Sequence, residues 1–344
     1  PVLLNIFAVT AMALAYALGQ EVITWLIWTI PIAGVAQLAL VWAAASRAGI
    51  KVRLGLPGWT PDMSQMVKVA VPAALASGVM QINLVVGQLV ASRTEGAVSW
   101  LFAADRLYQL PLGVIGIAVG IVLLPDLSRR LKSGDDTGAR NAYSRASEFA
   151  LALTLPSTIA LLVIPLPLVS VMYERGAMTP ADTQAIAWAT AIYGLGLPAF
   201  VLQKTLQPLF FAREDTKSPF RYALWAMVIN AALAFGLHPY IGWMAPAVAT
   251  TAAAWIMVLQ LALGARRFGE VTRFDARFKS KLWRITLASL IMGAALFALA
   301  EALSAALIAD GIRYLALAGL VFAGMAIYFG TAHVIGGINL KELR

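Results

Sequence analysis

The stretch WLFAADRLYQLPLGVIGIAVGIVLLPDLSRR, residues 100–130, decides the fold class. Residues 107–125 are uncharged and mostly apolar, and they follow directly on Asp105 and Arg106. Apolar or small residues at 97–104 precede that pair. A bilayer is crossed by about 20 apolar residues in helical form. The stretch therefore predicts a transmembrane helix that carries an acid and an arginine.

The composition of the whole chain agrees with a membrane protein. Of its 344 residues, 60% are hydrophobic and only 12% are charged, whereas soluble domains have roughly 25% charged residues. Long apolar runs recur along the sequence, and the alternating ten-residue pattern of outer-membrane barrels is missing. We therefore expect an all-α, polytopic transmembrane bundle of about ten helices.

The apolar runs define the candidate spans. Some neighbouring runs are joined by very short connections, such as residues 19–21 and 93–96, which indicates antiparallel hairpins. The predicted spans are 2–18, 22–45, 69–92, 97–125, 149–172, 183–211, 219–237, 242–264, 282–303 and 312–336.

The distribution of lysine and arginine predicts the orientation. With the N-terminus placed inside, nearly all of the 26 basic residues fall in inside segments, and the outside loops hold only Arg93, Arg175 and Arg313. Basic residues concentrate in cytoplasmic loops of membrane proteins. We therefore expect a multi-pass protein of the bacterial cytoplasmic (inner) membrane with both ends of this chain in the cytoplasm. The net charge of +9 then reflects these loops and gives no reason to expect nucleic acid as a partner.

The chemistry of common enzymes has little support in the sequence. There is no cysteine, and the two histidines, His238 and His333, stand alone, whereas zinc sites need three or four clustered ligands. No phosphate-binding loop, nucleophile elbow or paired-carboxylate motif occurs. We expect no metal, no cofactor and no enzymatic activity.

The pair Asp105-Arg106 allows two interpretations. If the helix begins near Leu107, the pair lies at the outer interface and the arginine snorkels to water. If the helix begins near Ala97, Arg106 lies about 15 Å from the helix end, where a charge needs a polar cavity. Gln109 is three residues from Arg106 and shares its face. The second interpretation makes Asp105, Arg106 and Gln109 candidates for substrate binding.

Two further polar positions lie inside predicted spans. Lys204 stands among Gln203, Thr205 and Gln207 just before Pro208, and such a polar cluster beside a proline needs water or protein around it. Snorkelling toward the cytoplasm is the alternative for Lys204.

In the third span, Gln81 and Gln88 lie seven residues apart on one face. Their amides either contact a substrate or bond to neighbouring helices. Gln81 and Lys204 complete the predicted set of substrate-binding residues.

The chain divides into five predicted segments. It opens on Pro1 within an apolar run, so we expect it to be the C-terminal part of a longer protein. Residues 1–47 are expected to form two helices, and the family resemblance described below implies that they are the last two of an N-terminal lobe. Residues 48–68, with Pro57, Gly58 and Pro61, form a cytoplasmic linker between lobes. The remaining segments are a six-helix lobe at 69–265, a basic cytoplasmic connector at 266–281 and a C-terminal helix pair at 282–338.

Four stretches carry a resemblance to a known family. They are QINLVVGQLVAS (81–92), GAVSWLFAADRLYQLPLGVIGIAVGIVLLPDLSRR (96–130), YERGAMTPADTQ (173–184) and GLPAFVLQKTLQPLFFAREDTKSPFR (196–221). In order and spacing they resemble the lipid II flippase family, MurJ or MviN, of the multidrug/oligosaccharidyl-lipid/polysaccharide exporter superfamily. The resemblance runs essentially from end to end.

The resemblance implies a fold and a function. Family members are expected to have fourteen helices in two six-helix lobes plus a C-terminal pair, so the ten spans would be the fifth to the fourteenth. The implied activity is alternating-access transport of lipid II, an undecaprenyl-pyrophosphate-linked muropeptide, to the outer leaflet for peptidoglycan synthesis and cell shape. A cationic cavity would hold the pyrophosphate, and the C-terminal pair would form an apolar groove for the polyprenyl tail. The cell-wall synthesis machinery is a possible partner.

Individual positions can be carried over from the family. Arg106 matches the family's cavity arginine, and Lys204 matches a family lysine. Gln109 stands where many members carry glutamate. Gly87 stands where some members carry an aspartate linked to sodium binding, and Ala234 is likewise not acidic. The resemblance therefore does not extend to sodium coupling through those ligands.

Other functions remain open from the residues alone. A related lipid-linked oligosaccharide flippase or a multidrug exporter belongs to the same superfamily, although a drug exporter would be expected to bind cations. A membrane-embedded enzyme of polyprenyl metabolism would need an acid cluster for magnesium, which the sequence does not show. A structural scaffold within the cell-elongation machinery is a third class, which a transport assay would separate from a flippase.

Overall fold

The computed structural model describes residues 2–49, 60–309 and 311–338. These residues form helices joined by turns, which confirms the all-α prediction. The helices are α1 (Val2–Ala17), α2 (Val22–Arg47), α3 (Pro61–Ala91), α4 (Ala97–Lys132), α5 (Asp136–Val163), α6 (Pro165–Tyr173), α7 (Pro180–Phe211), α8 (Lys217–Ile241), α9 (Ala245–Ala265), α10 (Ala276–Ala302), α11 (Ser304–Ile308) and α12 (Arg313–Val334).

Helices dominate because lipid offers no hydrogen-bond partner to the backbone, so each N–H and C=O must bond within its own segment. Every predicted span coincides with a helix, and the fifth is split into α5 and α6. Pro165 is the first residue of α6, and a proline disfavours helical geometry in the residue before it. Accordingly, Ile164 has left the helical region, with φ −120° and ψ 37°. By length and hydropathy, six helical segments among the described residues qualify as membrane spans, and one of them merges α8 with α9.

Most other prolines do not break their helices. α4 continues through Pro111 and Pro125, α5 through Pro156, and α7 through Pro198 and Pro208. Each such proline lacks an N–H and leaves the carbonyl four residues earlier without its helical donor. These carbonyls need other partners in the bundle.

The fold comprises two compact units, Pro1–Ala70 and Val71–Arg344. In the first unit, α1 and α2 form a hairpin whose turn contains Gly19, with φ 63°. Of the predicted linker, 48–68, residues 50–59 lie outside the described residues, and its last part is helical because α3 begins at Pro61.

The second unit is organised around α7. This helix packs against α4, α5, α6, α8 and α9, and its core side chains include Leu197, Val201, Leu209 and Phe210. A separate apolar cluster joins α10 and α12 to α6, with Met292, Leu296, Leu320 and Tyr328 among its members. The unit therefore contains a central helix group and a peripheral α10–α12 pair.

Charged groups concentrate at one end of the second unit, in the connections that were predicted to be cytoplasmic. Arg267 pairs with Asp215, which precedes α8. Burial raises the pKa of Asp215, but hydrogen bonds from Ser218 and the Arg267 charge outweigh burial and hold the pKa of this carboxyl below its usual value. α10 begins at Ala276, within the predicted connector, because Asp275 caps it by accepting a hydrogen bond from the Phe278 N–H at 2.7 Å.

Candidate functional site

A cavity of about 380 Å³ lies between α3, α4, α7 and α9 of the second unit. Its walls are largely apolar, and its polar groups are concentrated on α3 and α4. The polar side chains other than tyrosine that line it are Asn83, Gln88, Asp105, Arg106, Gln109 and Thr250. A mostly apolar pocket with a few convergent polar groups is typical of a ligand site.

The residue at which α4 begins determines how far along the helix the polar groups of α4 lie. The helix begins at Ala97, directly after Gly96, whose φ of 81° turns the chain out of the preceding loop. A side chain at Gly96 would be strained, since its Cβ would lie 2.9 Å from the Trp100 ring. The prediction of a helix start near Ala97 is confirmed, so Arg106 lies about 15 Å along the helix at 1.5 Å per residue.

Arg106 lines this cavity with an exposed side chain. Its guanidinium carbon lies 4.7 Å from the centroid of the Phe102 ring, one helical turn earlier. Within the part of the chain that the structure describes, no carboxylate forms an ion pair with Arg106. Arginine keeps its positive charge at physiological pH and offers five N–H donors in a planar fork. The group is therefore available to an anion.

The carboxylate of Asp105, next to Arg106 in the sequence, already accepts hydrogen bonds from other side chains. Gln109 donates a hydrogen bond from Nε2 to Oδ2 of Asp105, one turn apart on α4. The Tyr108 hydroxyl also interacts with this half-buried carboxylate. Asp105 thus accepts from neutral donors, and it forms no direct ion pair with Arg106 among the described residues.

Aromatic side chains from α7 complete the cavity. The Tyr108 ring lies 5.2 Å from the Tyr193 ring and 5.6 Å from the Phe200 ring. Sequence reasoning missed all three residues. Tyr108 is three positions from Asp105 and was detectable from that spacing, but no sequence signal linked Tyr193 or Phe200 to α4.

Two predicted site residues lie elsewhere. Lys204 has an exposed side chain on α7, and its Cγ lies 3.8 Å from the position of a Cβ built on Gly116 of α4. Gln81 is exposed on α3 and does not line the cavity, although Gln88, two turns later, does. The structure thus brings together Asp105, Arg106 and Gln109.

An amide pair stands beside the cavity wall. Asn230 of α8 donates a hydrogen bond from Nδ2 to Oδ1 of Asn83 on α3, and its own Oδ1 is buried without a partner. A Cβ built on Gly87 of α3 would lie 3.9 Å from the Cβ of Pro246 on α9. Over the described residues, no group of three or more histidine, aspartate or glutamate side chains is placed to hold a metal ion.

The family assignment follows from comparison with known proteins. Residues 1–321 match the family model described as "Lipid II flippase MurJ". The chain belongs to the MurJ family. It is therefore related to transporters, and as a MurJ-family chain with several apolar helices it is a multi-pass inner-membrane protein.

Individual MurJ relatives are similar over the whole chain. The probable lipid II flippase MurJ of Rhizobium tropici is 41% identical over 351 residues, which cover 100% of this chain and 66% of the relative. The probable lipid II flippase MurJ of Rhizobium meliloti (strain 1021) is 42% identical over 350 residues, covering 100% and 65%. The chain thus spans about two thirds of the length of the curated relatives that it matches.

A solved structure supports the fold. The structure titled "Lipid II flippase MurJ, inward closed conformation" has a TM-score of 0.76 and 24% identity, and the match covers 96% of this chain and 65% of that chain. At this identity the likeness concerns the arrangement of helices. It agrees with the predicted all-α membrane bundle.

Proposed function

We propose that this chain serves to move lipid II from the inner to the outer leaflet of the cytoplasmic membrane by alternating access, for peptidoglycan synthesis. Membership of the MurJ family supports the substrate class and a transport role rather than an enzymatic one. The observation that carries the proposal is the Arg106 guanidinium, which lines a cavity in a membrane-spanning bundle and has no ion-pair partner among the described residues.

In this proposal Arg106 binds the pyrophosphate of the substrate. A guanidinium and a phosphate can form two parallel charge-assisted hydrogen bonds. In the low dielectric of a membrane protein this attraction offsets part of the cost of removing the anion from water. Gln109 and Tyr108 assist by keeping the Asp105 carboxylate occupied, so the carboxylate competes less for the arginine.

In this proposal the substrate is released when the surroundings of Arg106 change from a low to a high dielectric. When the cavity opens to water, a high dielectric weakens the attraction between Arg106 and the pyrophosphate. Lys204 and Gln81 act in this proposal as contacts outside the cavity. Lys204 lies next to Gly116, which is ten residues beyond Arg106 on α4, and ten residues correspond to about 15 Å of helix.

The segment roles and the orientation are part of the same proposal. α1 and α2 belong to an N-terminal lobe, residues 69–265 form the second lobe, and the pair α10–α12 accepts the polyprenyl tail. The bias of lysine and arginine supports a cytoplasmic location for both ends of this chain. A multidrug exporter is less well supported, because a guanidinium at the cavity wall repels cationic drugs.

The test is substitution of Arg106 in the complete natural protein that contains this chain. Arg106→Ala should reduce both complementation of a flippase-depleted bacterium and photocrosslinking to lipid II at least about 100-fold, because a charge-assisted contact of roughly 3 kcal/mol with the pyrophosphate is lost. Arg106→Lys should recover part of both, because lysine keeps the charge but not the planar fork.

A matched control is available outside the cavity. Arg93 also lies over a phenylalanine ring, Phe235, at 5.9 Å, but in the turn between α3 and α4. Arg93→Ala should retain transport and crosslinking. Full activity of Arg106→Ala, or equal loss in both variants, would contradict the proposed role of Arg106.

A further inference from the structure

A proline inside α5 leaves one carbonyl without its usual partner. α5 runs from Asp136 to Val163 and is helical through the buried Pro156. In a helix the N–H of residue 156 would bond to the carbonyl of Ala152, but proline has no N–H. An unsatisfied carbonyl in the middle of a membrane protein costs more than in water, because lipid supplies no donor.

A tyrosine from α12 supplies the missing donor. The Tyr328 hydroxyl donates a hydrogen bond to the carbonyl oxygen of Ala152. Tyr328 is only 2% exposed, although most of α12 faces away from the core. A phenol that is buried in an apolar cluster needs a partner for its hydroxyl group, so the proline and the tyrosine satisfy each other's requirement.

α10 lies between α5 and α12, and a glycine at each of the two interfaces lets the helices approach closely. Gly293 of α10 lies directly against Ile159 of α5, and a Cβ there would collide with that side chain. On the next interface, a Cβ at Gly324 of α12 would lie 2.9 Å from Leu296 of α10. These two close approaches bring α12 near enough for the Tyr328 side chain to pass α10 and reach α5.

We propose that Tyr328 is a positioning residue. Its hydrogen bond to the Ala152 carbonyl, which Pro156 leaves without a helical donor, holds the α10–α12 pair to the six-helix lobe (69–265), and we call this bond the latch. α12 packs mainly on α10, so this hydrogen bond ties it directly to α5. The consequence for transport rests on the proposed function: the latch keeps the apolar pair in the position that receives the polyprenyl tail. The latch itself is a structural property and is tested separately.

The latch is tested by a double-mutant cycle in the longest natural form of the chain. Tyr328→Phe removes the donor and should lower the melting temperature by about 2–6 °C, as expected for an unsatisfied buried carbonyl. In a Pro156→Ala background, residue 156 regains an N–H that bonds to Ala152. The same Tyr328→Phe change should then shift the melting temperature by less than about 1 °C. Equal shifts in the two backgrounds would overturn the latch.

The position of α12 is measured independently. Residues 1–344 contain no cysteine. In a background without other cysteines, Asn141→Cys at the start of α5 and His333→Cys at the end of α12 provide spin-label sites on exposed residues. The distance distribution should broaden in Tyr328→Phe and return to the parental width when Pro156→Ala is added. Tyr240→Phe, which removes an exposed hydroxyl, is the matched control and should leave the distribution unchanged. An unchanged distribution in Tyr328→Phe would overturn the proposal.

The transport consequence is measured with two probes in proteoliposomes, lipid II with a long prenyl chain and an analogue with a short one. Tyr328→Phe should slow transport of the long-chain probe at least threefold more than that of the short-chain probe, and Pro156→Ala should restore it. Equal slowing of both probes would overturn the positioning role. If the parental protein transports neither probe, the proposed function fails, whereas the spin-label distances still decide the latch.

Discussion

Two arginines of the second unit have opposite surroundings. Arg145 on α5 lies between two carboxylates, Glu148 at 2.5 Å and Asp275 at the start of α10, so it ties two helices together. Arg106 on α4 follows a carboxylate in sequence but has no ion pair among the described residues. Its neighbour Asp105 is held instead by Gln109.

The difference separates an arginine within an ion-pair network from one without an ion pair among the described residues, as the anion-binding role proposed for Arg106 requires. Where the fold uses an arginine for stability, carboxylates from two helices converge on it, and Lys281 adds a further contact to Glu148 at 2.9 Å. At Arg106 the neighbouring carboxylate accepts from a neutral donor instead, since Gln109 lies one helical turn from Asp105 on the same helix.

Substitution of Arg145 and substitution of Arg106 should differ most in their effect on the free energy of unfolding. Arg145→Ala should lower the free energy of unfolding by about 1–3 kcal/mol, because Glu148 and Asp275 lose a partner in a partly buried network. Arg106→Ala should change it by less than about 0.5 kcal/mol, since the side chain is exposed and makes no ion pair. Chemical denaturation in detergent micelles measures both. A larger loss for Arg106→Ala would break the comparison.

A smaller effect should be seen on anion affinity. Asp105→Asn removes a negative charge beside Arg106 but keeps an oxygen that accepts from Gln109. Affinity for a polyprenyl pyrophosphate should rise about threefold to tenfold, because a repulsive charge next to the bound anion is lost. Titration of a fluorescent analogue measures the dissociation constant. Weaker binding by this variant would mean that Asp105 contributes to the site in another way.

The smallest effect concerns an exposed ion pair. Asp126 pairs with Arg129, whose side chain is 76% exposed, and with Arg130. Asp126→Asn should change the free energy of unfolding by no more than about 0.5 kcal/mol, since such pairs gain little in water. The same denaturation experiment measures this change, which is the baseline against which Arg145→Ala is compared. A cost comparable to that of Arg145→Ala would show that ion-pair geometry, rather than burial, governs stability here.

Much of the fold was predictable because lipid restricts the options. An apolar run of the right length must be a helix. Of the two helix starts that the sequence allowed, near Leu107 or near Ala97, the structure shows the start at Ala97. The prediction of a single span at 149–172 was wrong, because the helix breaks before Pro165, whereas α5 and α7 continue through Pro156 and Pro198. Whether a proline ends a helix depends on whether a neighbour can satisfy the freed carbonyl.

The candidate site was predictable only along one helix. Asp105, Arg106 and Gln109 were found from sequence because three- and four-residue spacings place side chains on one face. Tyr193 and Thr250 were not, since they come from α7 and α9. Lys204 was expected at the substrate and lies instead beside Gly116. Its role, like that of the other predicted site residues, stays a prediction.

The sequence by itself determined the membrane class and most of the spans, and it left two positions open for Arg106, at the interface or deep in α4. Spans depend on length and hydropathy, which are read residue by residue. Only the tertiary structure decided which faces of the helices meet, and with that the cavity, the bond from Tyr328 to Ala152 and the lack of an ion pair at Arg106 among the described residues. The reason is physical: lipid and protein core are both apolar, so a helix that is apolar all round carries no pattern that says which side faces inward.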